Sequence, residues 1–545
     1  MWHFLVILSG INRTFYLARR SVTVPQSGDL LRFDAALADI QVPVLGEDDT
    51  EASIAVFSSI ISYAELRSAG IMLNNARVEI FIWREGTEWT ERVMLFRGAV
   101  AVEETQRTRT LIRLNLTDES FRLMQSFPPW RFTKTRQKKT GAAVYHTFPE
   151  LPDGETGKTL NCIYGTVKQV PLVLVDRSDE LSSDSGDGVV AVPVQVDRFR
   201  WVIAGHRIHD KSLVLIPDGN DYRQLVRPVQ YERDPQSGAY FAYVEFTFDE
   251  AAAEALSSLV AERVSGHADK NGYPITGLGN AVVHMILTYS GLAGDQIDWD
   301  RLSRFVPLAN RARFSGVFGG ESGVSLLDTL SSRIGNQFPV KFSFRQGKFG
   351  ADWLLYDDND PEALRLRFGG SLIERMDPVT FANETRPATE FSVEYDPDQY
   401  GRKREGTPVF REAAVQTTVE PPYSFLDTPV QLEPPDMNQF YPIQLGPPAQ
   451  PVVRHHDDVK ELVDVNDRAT AQLVLDGLIS MHGTLRTQVN YLVRNEDALS
   501  WTIWEKYLLT DEDHNWSDEP FRLESIEVRE DGLSVVSFTS YNESP

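Results

Sequence analysis

The nearest approach to a phosphate cradle in this sequence is Gly154-Glu155-Thr156-Gly157-Lys158-Thr159. A phosphate-binding loop needs its first glycine at position 152, a buried strand ahead of it and a helix behind it, so that backbone amides converge on the anion. Position 152 is Pro, the preceding segment is polar, and Gly165 and Pro171 interrupt the residues behind the loop, so a surface turn is expected. Two clusters carry metal-compatible side chains: His206 and His209 with Asp210, and His455 and His456 with Asp457 and Asp458. A metal centre takes three or four convergent ligands held by supporting partners. Sequence proximity supplies at most two here, and histidines three apart on a strand-to-turn segment face different ways. Both clusters are therefore expected to be exposed polar loops. Asp357, Asp358 and Asp360 suggest a calcium loop, but the glycine and distal glutamate of that motif are misplaced, and a turn is expected instead. No Gly-x-Ser-x-Gly elbow and no Cys and His pairing nominates a nucleophile. Carboxylates are too plentiful for any pair to stand out as acid and base. The expectation is a protein that is not an enzyme, with no catalytic, cofactor-binding or metal-binding residues.

Bulk properties point the same way. Asp plus Glu at 78 against Lys plus Arg at 54 gives a net charge of −24. Such a surface repels phosphate, which nucleic-acid binders neutralise with Lys and Arg, so gripping DNA or RNA is not expected. The single cysteine, Cys162, rules out an internal disulfide and a cysteine-based zinc or iron–sulfur site. The apolar start, Trp2 to Ile11, lacks a preceding positive region and is about half the length that spans a bilayer. Synthesis in a cytoplasm without stable membrane insertion is the expectation. At 545 residues, with 42% hydrophobic and 24% charged, the chain has material for three or four folded domains.

The elements that would have to position any site are mostly strands. In the block 1–130, Ala76, Val78, Ile80 and Ile82 alternate with Arg77, Glu79, Phe81 and Trp83. Glu85-Gly86-Thr87 offers a turn before Val93 and Leu95, and Ile112, Leu114 and Leu116 predict a third strand. Arg131, Lys134, Arg136, Lys138 and Lys139 then form the one strongly basic stretch of an acidic chain. Either an acidic partner surface or a solvated loop accounts for it. Within 131–265, Asp176 to Gly188 reads as a mobile loop, strands are expected at Phe199–Ile203, Ser212–Ile216 and Ala239–Phe248, and a helix over Glu250–Arg263. The period becomes helical in 266–350, at Asn280–Leu287 and at Ser325–Ile334, before a strand-turn-strand at Val340–Phe349. The segment 351–416 is strand-rich, including Thr389–Tyr395. In 417–460, nine of the chain's 30 prolines fall between Pro421 and Pro451, which predicts an extended run.

In 461–545, Asn466 or Asp467 caps a helix lined by Ala469, Leu473, Leu478 and Met481 and ended by Gly483. A strand with Leu485, Thr487, Val489, Tyr491 and Val493 on one face follows. Asp531-Gly532 then joins strands Leu523–Val528 and Leu533–Tyr541. Between Arg494 and Asp531 twelve acids face four bases, an acidic surface. The fold class expected is mainly β with α+β segments, multidomain, built of small barrels or sandwiches.

The order of these blocks resembles the tail tip and baseplate hub proteins of long-tailed bacteriophages and related gene-transfer particles. The ladder Ala76 to Gly98, the element Ile163 to Pro171, the helix and hairpin Gly323 to Phe349, the strand Phe391 to Asp398 and the closing unit Asp467 to Tyr541 each match a piece of that family's pattern. The resemblance covers most of the chain and contains no active-site motif. It implies small β-barrel domains of the phage tail hub type, in a homotrimer at the far end of the tail tube. The implied partners are the distal tail or tail tube protein, the tape measure protein and tail fibre or tip proteins. The genome would pass through the ring without sequence-specific binding. Acidic groups lining that channel would keep DNA from adhering, since charges act over about 8 Å in physiological salt. The competing class is a carbohydrate- or host-receptor-binding β-protein stacking sugars on Trp83, Trp89, Trp501, Trp504 and Trp516. A cell-wall hydrolase is the third.

Overall fold

The computed structural model describes residues 1–45, 54–71, 76–101, 106–108, 111–135, 144–149, 151–182, 194–209, 212–217, 225–234, 239–248, 259–320, 324–355, 364–376, 380–381, 390–398, 409–410, 414–418, 460–482 and 486–540. The Pro421–Pro451 run, His455 to Asp458, Asp357 to Asp360 and Gly483 lie outside them. Strands dominate, gathered into several sheets, so the chain is mainly β.

The alternating run at Ala76 becomes the strand Arg77–Arg84, in the middle of a ten-stranded sheet. It pairs antiparallel with Trp2–Ser9 on one side and Val93–Val100 on the other, and Ile112–Asp118 extends the sheet as predicted. Gly86 turns the chain with φ at +90°, and a short 3-10 turn at Trp89–Glu91 precedes the return strand. Both faces of the strand are apolar beyond its first residues. Val78, Ile80 and Ile82 enter the larger core, while Phe81 and Trp83 join Leu5, Phe33 and Trp89 in a smaller one behind the sheet. Arg92 caps that second core with its guanidinium 4.1 Å from the Trp89 ring centre.

The larger core is shared by the two ends of the chain. A seven-stranded sheet built from Thr487–Arg494, Lys506–Asp511, Trp516–Val528 and Leu533–Ser540, with shorter strands from 364–381, puts Val489, Tyr491, Leu523, Ile526 and Phe538 against Leu8, Ile80 and Leu116. Leu45 and Ile526 exchange backbone hydrogen bonds of 3.0 and 2.9 Å. The Phe4 amide donates to Glu530 at 3.1 Å across 526 residues of sequence. Alternation predicted this sheet's buried face correctly at Val489, Tyr491 and Val493, and Gly532 makes the expected turn with φ at +94°.

The middle of the chain forms two four-stranded sheets around a third core. One contains Thr166–Pro171, Leu259–Ser265 and Ser212–Pro217, and the other Val173–Ser182, Val194–Ala204 and Tyr240–Phe248. Two expectations fail here. The helix predicted over Glu250–Arg263 is, in its described part, the strand Leu259–Ser265, held between Thr166–Pro171 and Ser212–Pro217. The loop predicted from Asp176 is a strand as far as Ser182, paired residue by residue with Val194–Arg200. In both places non-local pairing overrides the local signal of alanines or of small polar residues.

A fourth, mixed core takes the helix Leu278–Tyr289, the unpredicted helix Trp299–Ala309 and the hairpin Val340–Arg345 with Lys348–Trp353. Asp298 caps the second helix by accepting from the Arg301 amide. The Ser325 segment is capped by a reciprocal pair with Asp328, and it widens into a π-type turn over Thr329–Ile334 that still buries Leu330 and Ile334. Asp467 caps the helix Arg468–His482. That helix packs on this core through Ala471, Val474, Leu475 and Leu478, while Ala469, placed on the buried face by its spacing, is exposed. The block 461–545 thus gives its helix to one core and its strands to another.

Candidate functional site

The strand Cys162–Tyr164 ends at Gly165, whose φ of +64° starts the next strand, Thr166–Pro171, in a new direction. Two Gly-His pairs, Gly205-His206 and Gly266-His267, close over this bend. A Cβ on Gly266 would stand 2.0 Å from the Ile163 carbonyl oxygen, so only glycine lets the backbones pass so closely. The amides confirm the crossing: Gly266 donates to Gly165 at 2.8 Å and His267 to Ile163 at 2.8 Å. The result gathers Cys162, Tyr164, His206 and His267 with His284 and Tyr289 from the helix Leu278–Tyr289.

The hydrogen bonds fix what these groups can do. His206 accepts the Ile163 amide on Nε2 at 2.9 Å, so its proton sits on Nδ1 and points to the Arg207 carbonyl at 2.7 Å. Its ring lies flat on that of His267, centroids 3.5 Å apart and planes 10° apart. Nε2 of His267 stands 2.9 Å from Tyr289 Oη and 3.5 Å from Cys162 Sγ, and Sγ lies 3.9 Å from the same Oη. With the thiol donating to Tyr289 and Tyr289 donating to His267, two of the three contacts are hydrogen bonds and the approach of Sγ to His267 Nε2 is a packing contact. Tyr164 Oη pairs with His284 Nδ1 at 2.8 Å.

Every member is held neutral. Burial pushes the Cys162 thiol and both tyrosines up, away from ionisation. It pushes His206 down to about 4, and lowers His267 further because His206 and His284 add repulsion. Cys162, His206 and His267 bring their ligand atoms within 4.8 Å of one another, the spacing of a metal trio. The orientation does not fit a metal. Both nitrogens of His206 are committed to the backbone, and stacked rings keep their in-plane lone pairs in nearly parallel planes that do not meet at one point. A protonated thiol is a poor ligand and a poor nucleophile. The cluster is a largely buried polar knot that ties three backbone segments together.

His206 was expected in an exposed loop and is buried; His209, its companion in the sequence motif, is exposed, and Asp210 lies outside the described residues. The missed members are Cys162, Tyr164, His267, His284 and Tyr289. The repeated Gly-His pair was the signal available for two of the cluster's histidines. The phosphate-cradle look-alike is a surface turn as expected: Asp153–Glu155 is a single 3-10 turn, Lys158 pairs with Glu155 at 2.9 Å, and the next element is a strand rather than a helix. In the basic stretch, Arg131 donates to Ser126 and Lys134 pairs with Asp153, while Arg136, Lys138 and Lys139 lie outside the described residues. Trp83 and Trp89 are buried. Trp501, Trp504 and Trp516 are half-buried against Tyr507, Lys341 and Phe521, which leaves little open ring face for a sugar.

No protein-family model matches the chain, and no curated protein sequence matches it significantly. Among the described residues no helix is long and apolar enough to cross a membrane.

Proposed function

We propose that this chain is the structural hub of a phage tail tip or baseplate, a ring of three copies that continues the tail tube and leaves a channel for the genome. The observation that carries the reading is the shared core in which strands from residues 2–118 and 487–540 close on one another. A hub must transmit load between neighbours without opening, and a chain whose two ends are stitched into one core resists being pulled apart from either end. The Cys162 knot supports the same reading, since its potential nucleophile is buried and held protonated. Trimeric closure would bury large apolar interfaces in addition to these cores. The acidic surface would face the passing DNA and keep it mobile.

The test is imaging of the particle that contains this chain, with copy number counted from the symmetry of the map. Three copies at the distal end of the tube are expected. A position in the head, or a solitary purified chain with hydrolytic turnover, would overturn the reading.

A further inference from the structure

A groove of about 610 Å³ opens where the two ends of the chain meet beside their shared core. Trp2 and Arg84 come to it from the ten-stranded sheet, and Arg494, Glu496, Glu530 and Asp531 from the connections of the seven-stranded one. Trp2 begins the alternation Trp2, Phe4, Val6, Leu8, whose later members are buried in that core, so its half-buried ring lies between the core and the groove. Gly532 runs along the ring's edge with φ at +94°, and a Cβ there would stand 3.2 Å from Cδ1. The indole N–H makes no hydrogen bond among the described residues. Most of the charges are already engaged. Arg84 pairs with Glu496 at 2.7 Å, Glu530 takes Arg19 at 2.9 Å and the Phe4 amide at 3.1 Å, and the Met1 amine stands 3.9 Å from Glu85. Arg494 makes no ion pair or side-chain hydrogen bond among the described residues. Asp531 accepts the Leu533 amide on Oδ1 at 3.0 Å, with Arg529 acting on it from beyond ion-pair distance. One cation and one anion therefore stay open, and they balance.

Balanced charge gives a charged ligand no advantage. An indole beside free donors and acceptors suits a neutral molecule with a flat apolar face and a hydrogen-bonding edge. A pyranose ring is such a molecule: its C–H groups make an apolar face, and each hydroxyl both donates and accepts. The guanidinium fork of Arg494 can reach two neighbouring hydroxyls, Oδ2 of Asp531 can accept from another, and the indole N–H of Trp2 can donate to an oxygen. We propose that this groove binds a neutral sugar, stacked on Trp2 and held by Arg494 and Asp531. Its volume falls within the ~300–1,000 Å³ of small-molecule sites, room for a mono- or disaccharide. A bound sugar would touch both ends of the chain at once and so stabilise the core they share. A single unassembled chain carries the whole groove, so binding does not need the ring of copies.

The test is saturation-transfer difference NMR on the full chain with methyl α-glucopyranoside, methyl β-galactopyranoside and N-acetylglucosamine, and with sorbitol as the open-chain control. Expected is saturable binding of at least one of the three sugars with a Kd below about 10 mM, and sorbitol at least about tenfold weaker, because an open chain has no flat C–H face. Trp2→Ala should weaken binding at least about tenfold, and Arg494→Ala, at an exposed side chain, about threefold to tenfold, with the circular dichroism spectrum unchanged. Should Trp2→Ala disturb the fold, Arg494→Ala decides alone. Absence of binding to all three sugars, sorbitol binding as tight as theirs, or wild-type affinity in Arg494→Ala or in a folded Trp2→Ala overturns the proposal.

Discussion

Two buried polar clusters in this molecule are built on opposite plans. Around Cys162 every group is neutral, nearly every donor meets an acceptor, and three glycine-bearing crossings hold the arrangement shut. Around Asp352 the groups are charged, one carboxylate accepts from both Arg301 and Arg345 with Asp298 also acting on Arg345, and one guanidinium nitrogen has no partner among the described residues. A neutral network gives rigidity at small cost, whereas a buried ionic one depends on keeping every counter-charge in place. The first is held by neutral hydrogen bonds and the second by buried ion pairs, so they answer differently to charge removal and to acid.

The contrast can be broken most forcefully at Asp352. Asp352→Asn removes the carboxylate that accepts from both Arg301 and Arg345, leaving the two buried together with Asp298 as the nearby counter-charge on Arg345, and should lower stability by about 3–5 kcal/mol, read by urea denaturation. A loss under about 1 kcal/mol would mean that the charges there are solvated and the distinction is false.

Acid should separate the clusters next. His206 and His146 both titrate near 4 in the fold against about 6.5 unfolded, so the unfolded chain binds more protons below pH 6.5. Stability is then full above pH 6.5 and falls as pH drops to about 4, by up to about 1.4 kcal/mol per pH unit for each residue. Melting curves between pH 7 and 4 measure this, and His206→Gln should flatten part of the slope. A slope that His206→Gln leaves unchanged would show that the knot is open to water.

Smaller effects sharpen the comparison. His146 is buried beside Phe241 and neither ring nitrogen has a hydrogen-bond partner among the described residues. His146→Phe should be neutral or stabilising by about 1 kcal/mol in chemical denaturation, since it removes two polar atoms that gain nothing from burial. Cys162 should remain unlabelled by iodoacetamide in the native protein at pH 8 and react fully in urea, because burial holds the thiol protonated. Rapid native labelling would reopen the case for a reactive cysteine.

Much of the sheet structure was legible in the sequence, because strand alternation and turn residues are local. Ala76 to Ile82, Val489 to Val493, Gly86 and Gly532 all sit where their pattern placed them. The failures fall wherever an element depends on a distant partner. Leu259–Ser265 is a strand because Thr166–Pro171 and Ser212–Pro217 flank it, and neither is near it in sequence. Phe81 and Trp83 alternate with Ile80 and Ile82 but face a second core that no local period announces. The polar knot was illegible for the same reason. His206 was read with His209, three residues away, whereas its true companions are Cys162 and His267. The hub proposed for this chain rests on the shared core together with the order of blocks, and only the second could be read from the sequence.

The pairing of Leu45 with Ile526 bears on how the molecule is made. The apolar face carrying Leu8, Ile80 and Leu116 is finished early in translation, but its cover, the strand Trp516–Val528, leaves the ribosome late. At about 5–20 residues per second that face waits roughly 20–80 s before it is shielded. Nascent chains of this protein should therefore be chaperone clients throughout synthesis, and fragments truncated before residue 516 should aggregate while the complete polypeptide remains dispersed.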